Sequence, residues 1–141
     1  MGIAVALGDE GLIVPVIREV ENLSLLGIAR ALNAIGDRAR AKRLTIEDTK
    51  GGTFTITSPG QMGALMGTPI INQPQSAILH FGAVEKRPAV VEGPDGEDVL
   101  AIRSKACLTL GIDHRLIDGW VADSFMAAVR DRLERGDFQV A

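Results

Sequence analysis

His114 stands in the stretch GIDHRLIDG, residues 111–119, between Asp113 and Arg115, with Asp118 four positions on and Gly119 after it. Imidazole is the side chain whose ordinary pKa lies nearest neutrality, so a histidine held where two elements meet can serve as a general base. On spacing alone, a base with its supports and a plain strand-to-helix junction with surface charges read this stretch equally well. The second histidine, His80, lies in AILHFGAV, inside an apolar run. There the expectation is a core or interface histidine with its hydrogen bonds satisfied.

Other chemistries lack their residues. The chain has no Gly-x-Ser-x-Gly elbow, no Gly-x-Gly-x-x-Gly and no His-Glu-x-x-His. Two distant histidines make a poor metal site, so no metal is expected, and the single cysteine, Cys107, excludes an internal disulfide. Gly60, Gly63 and Gly67 are not followed by a phosphate-loop lysine, and their segment, 58–75, reads as a long shaped loop. Loops of that length are more often functional than idle. With 18 acidic against 15 basic residues the net charge is −3, which argues against a nucleic-acid partner. No apolar run approaches the roughly 20 residues of a membrane span.

The elements that must position these residues follow from periodicity. Apolar runs at 3–7 and 12–17, separated by GDEG, read as a hairpin or two adjacent strands, with Pro15 at an edge or end. Leu25, Ile28, Leu32, Ile35 and Ala39 form one stripe of a helix over 24–42, capped by Ser24. Its basic end, Arg38, Arg40, Lys42 and Arg43, reads as a solvated terminus suited to the helix dipole. One short helical turn in 45–52 and a β-branched strand, 52–57, come next. After the loop, 76–87 reads as a strand, 92–98 as a turn, and 99–114 as the clearest strand. In it Leu100, Ile102, Ala106, Leu108, Leu110 and Ile112 share one parity. His114 continues that parity and should point inward, with Asp113 and Arg115 pointing the other way. A last helix, 117–135, buries Ile117, Val121, Phe125, Ala128 or Val129, and Leu133. At 141 residues, 46% hydrophobic and without tyrosine, the chain is one α/β domain whose core is Ile, Leu, Val and Ala. Strand-like sequence from the second residue suggests a chain cut from something longer.

DHRLIDG resembles the His-x-x-x-Asp-Gly signature of the dihydrolipoamide acyltransferases, the core subunits of 2-oxoacid dehydrogenase complexes. The related chloramphenicol acetyltransferases usually carry a second histidine where Asp113 stands. GIAVAL, GLIVPVI, LSLLGIA, GGTFTITSPGQMG, TPIINQPQSAIL and KACLTLGIDHRLIDG follow in the order seen in the family, so the resemblance covers essentially the whole chain. It implies a chloramphenicol acetyltransferase-like two-layer sandwich, a mixed sheet packed with helices. Residues 1–141 would be a partial catalytic domain lacking its N-terminal part. The lipoyl domain and the peripheral subunit-binding domain would lie outside the chain.

The resemblance also implies an activity: acyl transfer between dihydrolipoamide and coenzyme A. His114 would be the base for the attacking thiol, one ring nitrogen held by its own backbone carbonyl. Thr57 would supply a hydroxyl to the oxyanion, although by its residues alone it is one more β-branched strand position. Asp118 would be structural support, paired with an arginine, where the residues alone suggest a carboxylate at a helix N-terminus. Gly119 would allow close approach. Coenzyme A enters as substrate, and the lipoyl group arrives on another domain. His114 and Thr57 would meet across a subunit boundary in a homotrimer, trimers building cubic or icosahedral cores that bind the other subunits of the complex. Lys105 and Arg103 have the right charge to touch coenzyme A, and nothing more assigns them. The setting implied is cytoplasmic, or the mitochondrial matrix in a eukaryote. A non-catalytic core scaffold and a chloramphenicol-type acetyltransferase are the rival readings. The motifs do not choose among acetyl, succinyl and branched-chain groups.

Overall fold

The computed structural model describes residues 1–139. The chain runs β1 (Gly2–Ile3), β2 (Val5–Ala6), β3 (Leu12–Ile13), α1 (Leu25–Arg40), β4 (Phe54–Thr57), β5 (Ala77–Phe81), β6 (Glu85–Glu92), β7 (Asp98–Lys105), β8 (Leu108–Ile112) and α2 (Gly119–Arg135). The central sheet has the order β1-β4-β5-β8. Its first three strands are parallel and β8 is antiparallel to β5, so the expected mixed sheet is present. The opening hairpin is β2 against β3.

The helices begin where side chains supply missing acceptors. Ser24 Oγ accepts the Gly27 N–H of α1 at 3.2 Å. The stripe of α1 is buried at Ile35 and Ala39, while Leu25 at its other end is exposed. Arg38 is tied to Asp48 at 2.6 Å, and the Asp48 carboxylate also accepts from the backbone and hydroxyl of Thr45. These bonds, the Thr45 pair first, hold the Asp48 carboxyl below its ordinary pKa.

Residues in register on neighbouring strands share a sheet face. Phe54, Ala77, Leu79, Leu110 and Ile112 share one face with register partners. That face meets α2, where the rings of Phe54 and Phe125 pack edge-on with centroids 6.0 Å apart. Thr55, Thr57, Ile78, His80, Thr109 and Gly111 share the other. The 58–75 loop lies along this second face. A Cβ at Gly67 would sit 3.0 Å from His80 Nε2, and one at Gly111 would sit 3.2 Å from the Pro69 carbonyl.

Two long strands expected from alternation are each divided. The run 76–87 breaks after Phe81, because the loop backbone crosses there. Ala83 N–H donates to Ala64 O at 2.8 Å, and a Cβ on Gly82 would fall on the Leu65 carbonyl oxygen. The run 99–114 breaks at Ala106–Cys107, where Cys107 O accepts the Gly82 N–H at 2.9 Å, and its second part ends at Ile112. The pieces β6 and β7 leave the central sheet and pair as a separate antiparallel hairpin around the 92–98 turn. Within it Val90 opposes Leu100, and Pro88 opposes Ile102. Leu100 is 77% exposed and Ile102 71%, so the alternation marks a shared apolar face that the described residues leave uncovered.

Candidate active site

The residues around His114 form a turn, not a strand. Asp113 N–H still bonds Ser76 O at 2.8 Å, as a last rung beside β5. Its carbonyl then accepts from Leu116 and Ile117, and its carboxylate accepts the Arg115 N–H at 3.1 Å. The Arg115 guanidinium closes a fork on the same carboxylate, with Nε at 2.9 Å and Nη2 at 2.6 Å. A carboxylate bonding the backbone two residues on competes with continued strand, which is why the alternation stops here. Asp113, with its side chain 12% exposed, is therefore the sheltered member of the trio, while His114 and Arg115 are exposed. This corrects the expectation that His114 points inward with its neighbours opposite. Arg115, by its side chain first and its N–H second, holds the Asp113 carboxyl down at about 2. The side-chain hydrogen bonds of the described residues include none from the His114 ring to its own carbonyl.

Asp118 is the N-cap of α2. Its backbone is extended and its carboxylate accepts the Val121 N–H at 2.8 Å. No ion pair among the described residues joins it to an arginine. Gly119 opens the helix with nothing within 4 Å of where its Cβ would be, so among the described residues no close approach requires it.

Thr57 closes β4 and is half-buried. In register it lies beside His80 of β5, and His80 lies beside Thr109 of β8. The other end of the same sheet has Phe54 beside Ala77 and Ala77 beside Ile112. Three residues along the strand and two strand spacings across put ~14 Å between the Cα atoms of Thr57 and Ile112. His114 lies beyond Ile112. One chain therefore places His114 and Thr57 at opposite ends of the sheet. A hollow of about 370 Å³ lined by Ala106, Leu108, Asp123, Met126, Ala127 and Arg130 includes neither of them. Arg103 and Lys105 are exposed on β7, with the Arg103 guanidinium on the Ile102 carbonyl.

His80 departs from its expectation. It is buried, at 4% exposure, but its Nδ1 has no hydrogen-bond partner among the described residues. Its place on the same rung as Thr57 was not legible in the sequence, because the pairing of β4 with β5 joins residues more than 20 positions apart. The one signal available was a histidine on the parity of Ile78 in an apolar run.

Comparison with known proteins agrees with this architecture. The family described as 2-oxoacid dehydrogenases acyltransferase (catalytic domain) matches residues 1–139. The dihydrolipoyllysine-residue acetyltransferase component of the pyruvate dehydrogenase complex of Mycobacterium bovis is 47% identical over 131 residues, 93% of this chain and 24% of that protein. The succinyltransferase component of the 2-oxoglutarate dehydrogenase complex of Bartonella vinsonii is 44% identical over 133 residues, 94% of this chain and 31% of that protein. Among solved structures, a probable dihydrolipoamide acetyltransferase from Listeria monocytogenes superposes with a TM-score of 0.90 at 37% identity, covering 99% of this chain and 58% of that one. The Azotobacter vinelandii dihydrolipoamide acetyltransferase gives 0.83 at 38% identity, covering 94% and 52%. A serine, a histidine and, four positions after the histidine, an asparagine of that enzyme have been studied for their role in its catalytic mechanism. The cubic core of the pyruvate dehydrogenase multienzyme complex also gives 0.83 at 37% identity, covering 94% and 52%. The chain thus spans about a quarter to a third of the curated relatives and somewhat over half of the solved chains it matches. With a mixed sheet of the same kind and a family match along its described length, the chain belongs to the 2-oxoacid dehydrogenase acyltransferase catalytic-domain family.

Proposed function

We propose that the chain transfers an acyl group between dihydrolipoamide and coenzyme A, with His114 as base and Thr57 as oxyanion donor supplied by neighbouring copies. The observation that carries this reading is the sheet register. It sets Thr57 and the turn that holds His114 at opposite ends of the central sheet, which supports a site completed by a second copy. The exposed apolar face of the β6–β7 hairpin, with Val90, Leu100 and Ile102, supplies surface for such an assembly. A homotrimer, and trimers joined in a larger core bound to the other complex subunits, fit both features. Coenzyme A and a lipoyl arm carried on another domain would enter this shared site. The setting is cytoplasmic, or the matrix in a mitochondrion.

The chemistry follows from the two groups. A free thiol has an ordinary pKa near 8.5 and is mostly protonated at neutral pH. The His114 imidazole takes the thiol proton as the sulfur attacks the thioester carbonyl. The carbonyl oxygen becomes an oxyanion, which accepts a hydrogen bond from the Thr57 hydroxyl. The intermediate collapses, the departing sulfur leaves as thiolate, and the imidazolium returns the proton to it. Asp118 stands four positions after His114, the spacing of asparagine and histidine in the Azotobacter enzyme. Its carboxylate holds the first turn of α2 directly after the His114 turn and takes no part in proton transfer. Relatives of similar identity transfer acetyl and succinyl groups, so the proposal names the acyl class only.

The test is an acyl-transfer assay with dihydrolipoamide and acetyl- or succinyl-coenzyme A. His114→Ala is expected to lose about 10²- to 10⁴-fold in turnover, the usual worth of general-base catalysis. Thr57→Ala is expected to lose about 10²- to 10³-fold, and Thr57→Ser much less. An assembled chain with no transfer activity would make it a scaffold. Acetylation of chloramphenicol would return the antibiotic-acetyltransferase reading.

A further inference from the structure

We infer that His80 is a positioning residue for Thr57: its Nδ1, unpartnered in the single chain among the described residues, donates a hydrogen bond to the threonine oxygen in the assembled site, so that the hydroxyl proton stays aimed at the oxyanion. The inference rests on the reading of Thr57 as the oxyanion donor. Three observations support it. His80 and Thr57 are register partners on adjacent parallel strands and share a face, so their Cβ atoms stand about 5 Å apart. His80 is 4% exposed, and its Nδ1 is the one buried side-chain nitrogen or oxygen of the described residues without a hydrogen-bond partner. The opposite edge of the ring is closed by loop backbone, since a Cβ at Gly67 would lie 3.0 Å from Nε2 and 3.2 Å from Cδ2. The ring therefore has the Gly67 backbone along its Nε2–Cδ2 edge and no hydrogen-bond partner at Nδ1 among the described residues.

The hydrogen-bond inventory decides the direction. A threonine hydroxyl has one proton and two acceptor lone pairs. A proton given to His80 would be lost to the oxyanion, whereas a bond received from His80 leaves it free and polarises the O–H. Neutral imidazole protonated at Nδ1 meets this requirement, and a buried nitrogen left unpaired is unfavourable otherwise. Thr109 flanks His80 on the other side, on β8, and serves as the control hydroxyl.

Two measurements on the full chain test this. In a ¹⁵N-histidine-labelled sample the His80 ring is expected as the Nδ1–H tautomer, its signal shifting in Thr57→Val and unmoved in Thr109→Val. An Nε2–H tautomer, or a signal that ignores Thr57→Val or follows Thr109→Val, overturns the inference. In the acyl-transfer assay, His80→Phe keeps the ring and His80→Gln keeps a donor only near Nε2. Both should lower kcat roughly 10-fold, the scale of one neutral hydrogen bond, with KM for coenzyme A unchanged. His80→Asn, whose amide sits near the place of Nδ1, should restore most of that loss. In a Thr57→Ala background His80→Phe should cost nothing further, because its effect passes through the missing hydroxyl. A fully additive loss overturns the inference. If the unaltered chain transfers no acyl group, the proposed function falls, and the spectrum alone decides His80.

Discussion

The separation of His114 from Thr57 within one chain leads to a mixing experiment with a calculable result. His114→Ala and Thr57→Ala chains are each expected to retain at most about 1% of wild-type turnover, taking the lower end of the usual losses. Refolded together in equal amounts, they assemble at random. A site at a subunit boundary needs an intact His114 from one copy and an intact Thr57 from the next. In a cyclic assembly the chance of that pairing is the product of two halves, so about a quarter of the boundaries should be fully active. Recovery should thus stand at least about 25-fold above either parent. It should also vary with the mixing ratio as the product of the two fractions, highest at equal amounts. The assay is acyl transfer per chain, with distinguishable tags confirming mixed assemblies by mass. Mixed assemblies with no recovery above the mean of the parents would refute the reasoning, because they would place both residues in one site of one chain or remove one of them from the site.

Asp118→Ala removes the acceptor for Val121 N–H and should lower stability by about 1 kcal/mol in chemical denaturation, whereas Asp118→Asn keeps a good cap and near-normal turnover. An Asn variant that is stable but inactive would make Asp118 a chemical participant. Gly82→Ala drives a Cβ into the Leu65 carbonyl and should cost about 3 kcal/mol or more, while Gly119→Ala meets nothing and should be neutral or stabilising by up to about 1 kcal/mol. Equal unfolding midpoints for the two would contradict the described loop contact. The carboxyls of Asp113, held at about 2, and Asp48, also lowered, lie below their ordinary 3.8. Their stabilisation is present above pH 4 and is lost as pH falls toward 2, so denaturation midpoints should drop across that window. Asp113→Asn should make the drop shallower, and an unchanged acid profile would show that the Arg115 fork contributes nothing in solution.

What the sequence disclosed was local. The α1 stripe with its Ser24 cap, the β-branched β4 and the 92–98 turn each depend on residues within a few positions of one another, and each stands where periodicity and turn chemistry put it. What it hid was set at a distance. Nothing in AILHFGAV says that the strand ends at Phe81, because the cause is the backbone of Leu65 pressed on Gly82 from a loop 17 positions earlier. His80 reads as an inward residue, but the vacancy at Nδ1 and the threonine beside it depend on which strands are neighbours. Asp118 was legible as a carboxylate at a helix N-terminus, and the bond that makes it the N-cap runs to Val121, only three residues away.

The apolar parity of 99–114 failed in an instructive way. Leu100 and Ile102 share it, His114 continues it, and all three are exposed in the single chain. Alternation records which residues are selected to leave water together, and it is silent on whether the cover comes from the same chain. Two separate departures, an apolar hairpin face open to solvent and a histidine outside the sheet, have one resolution in the proposed assembly, where a neighbouring copy covers the hairpin and brings its Thr57 toward His114. The mixing experiment bears on both, since the recovery it predicts exists only if the chain is half of its own active site.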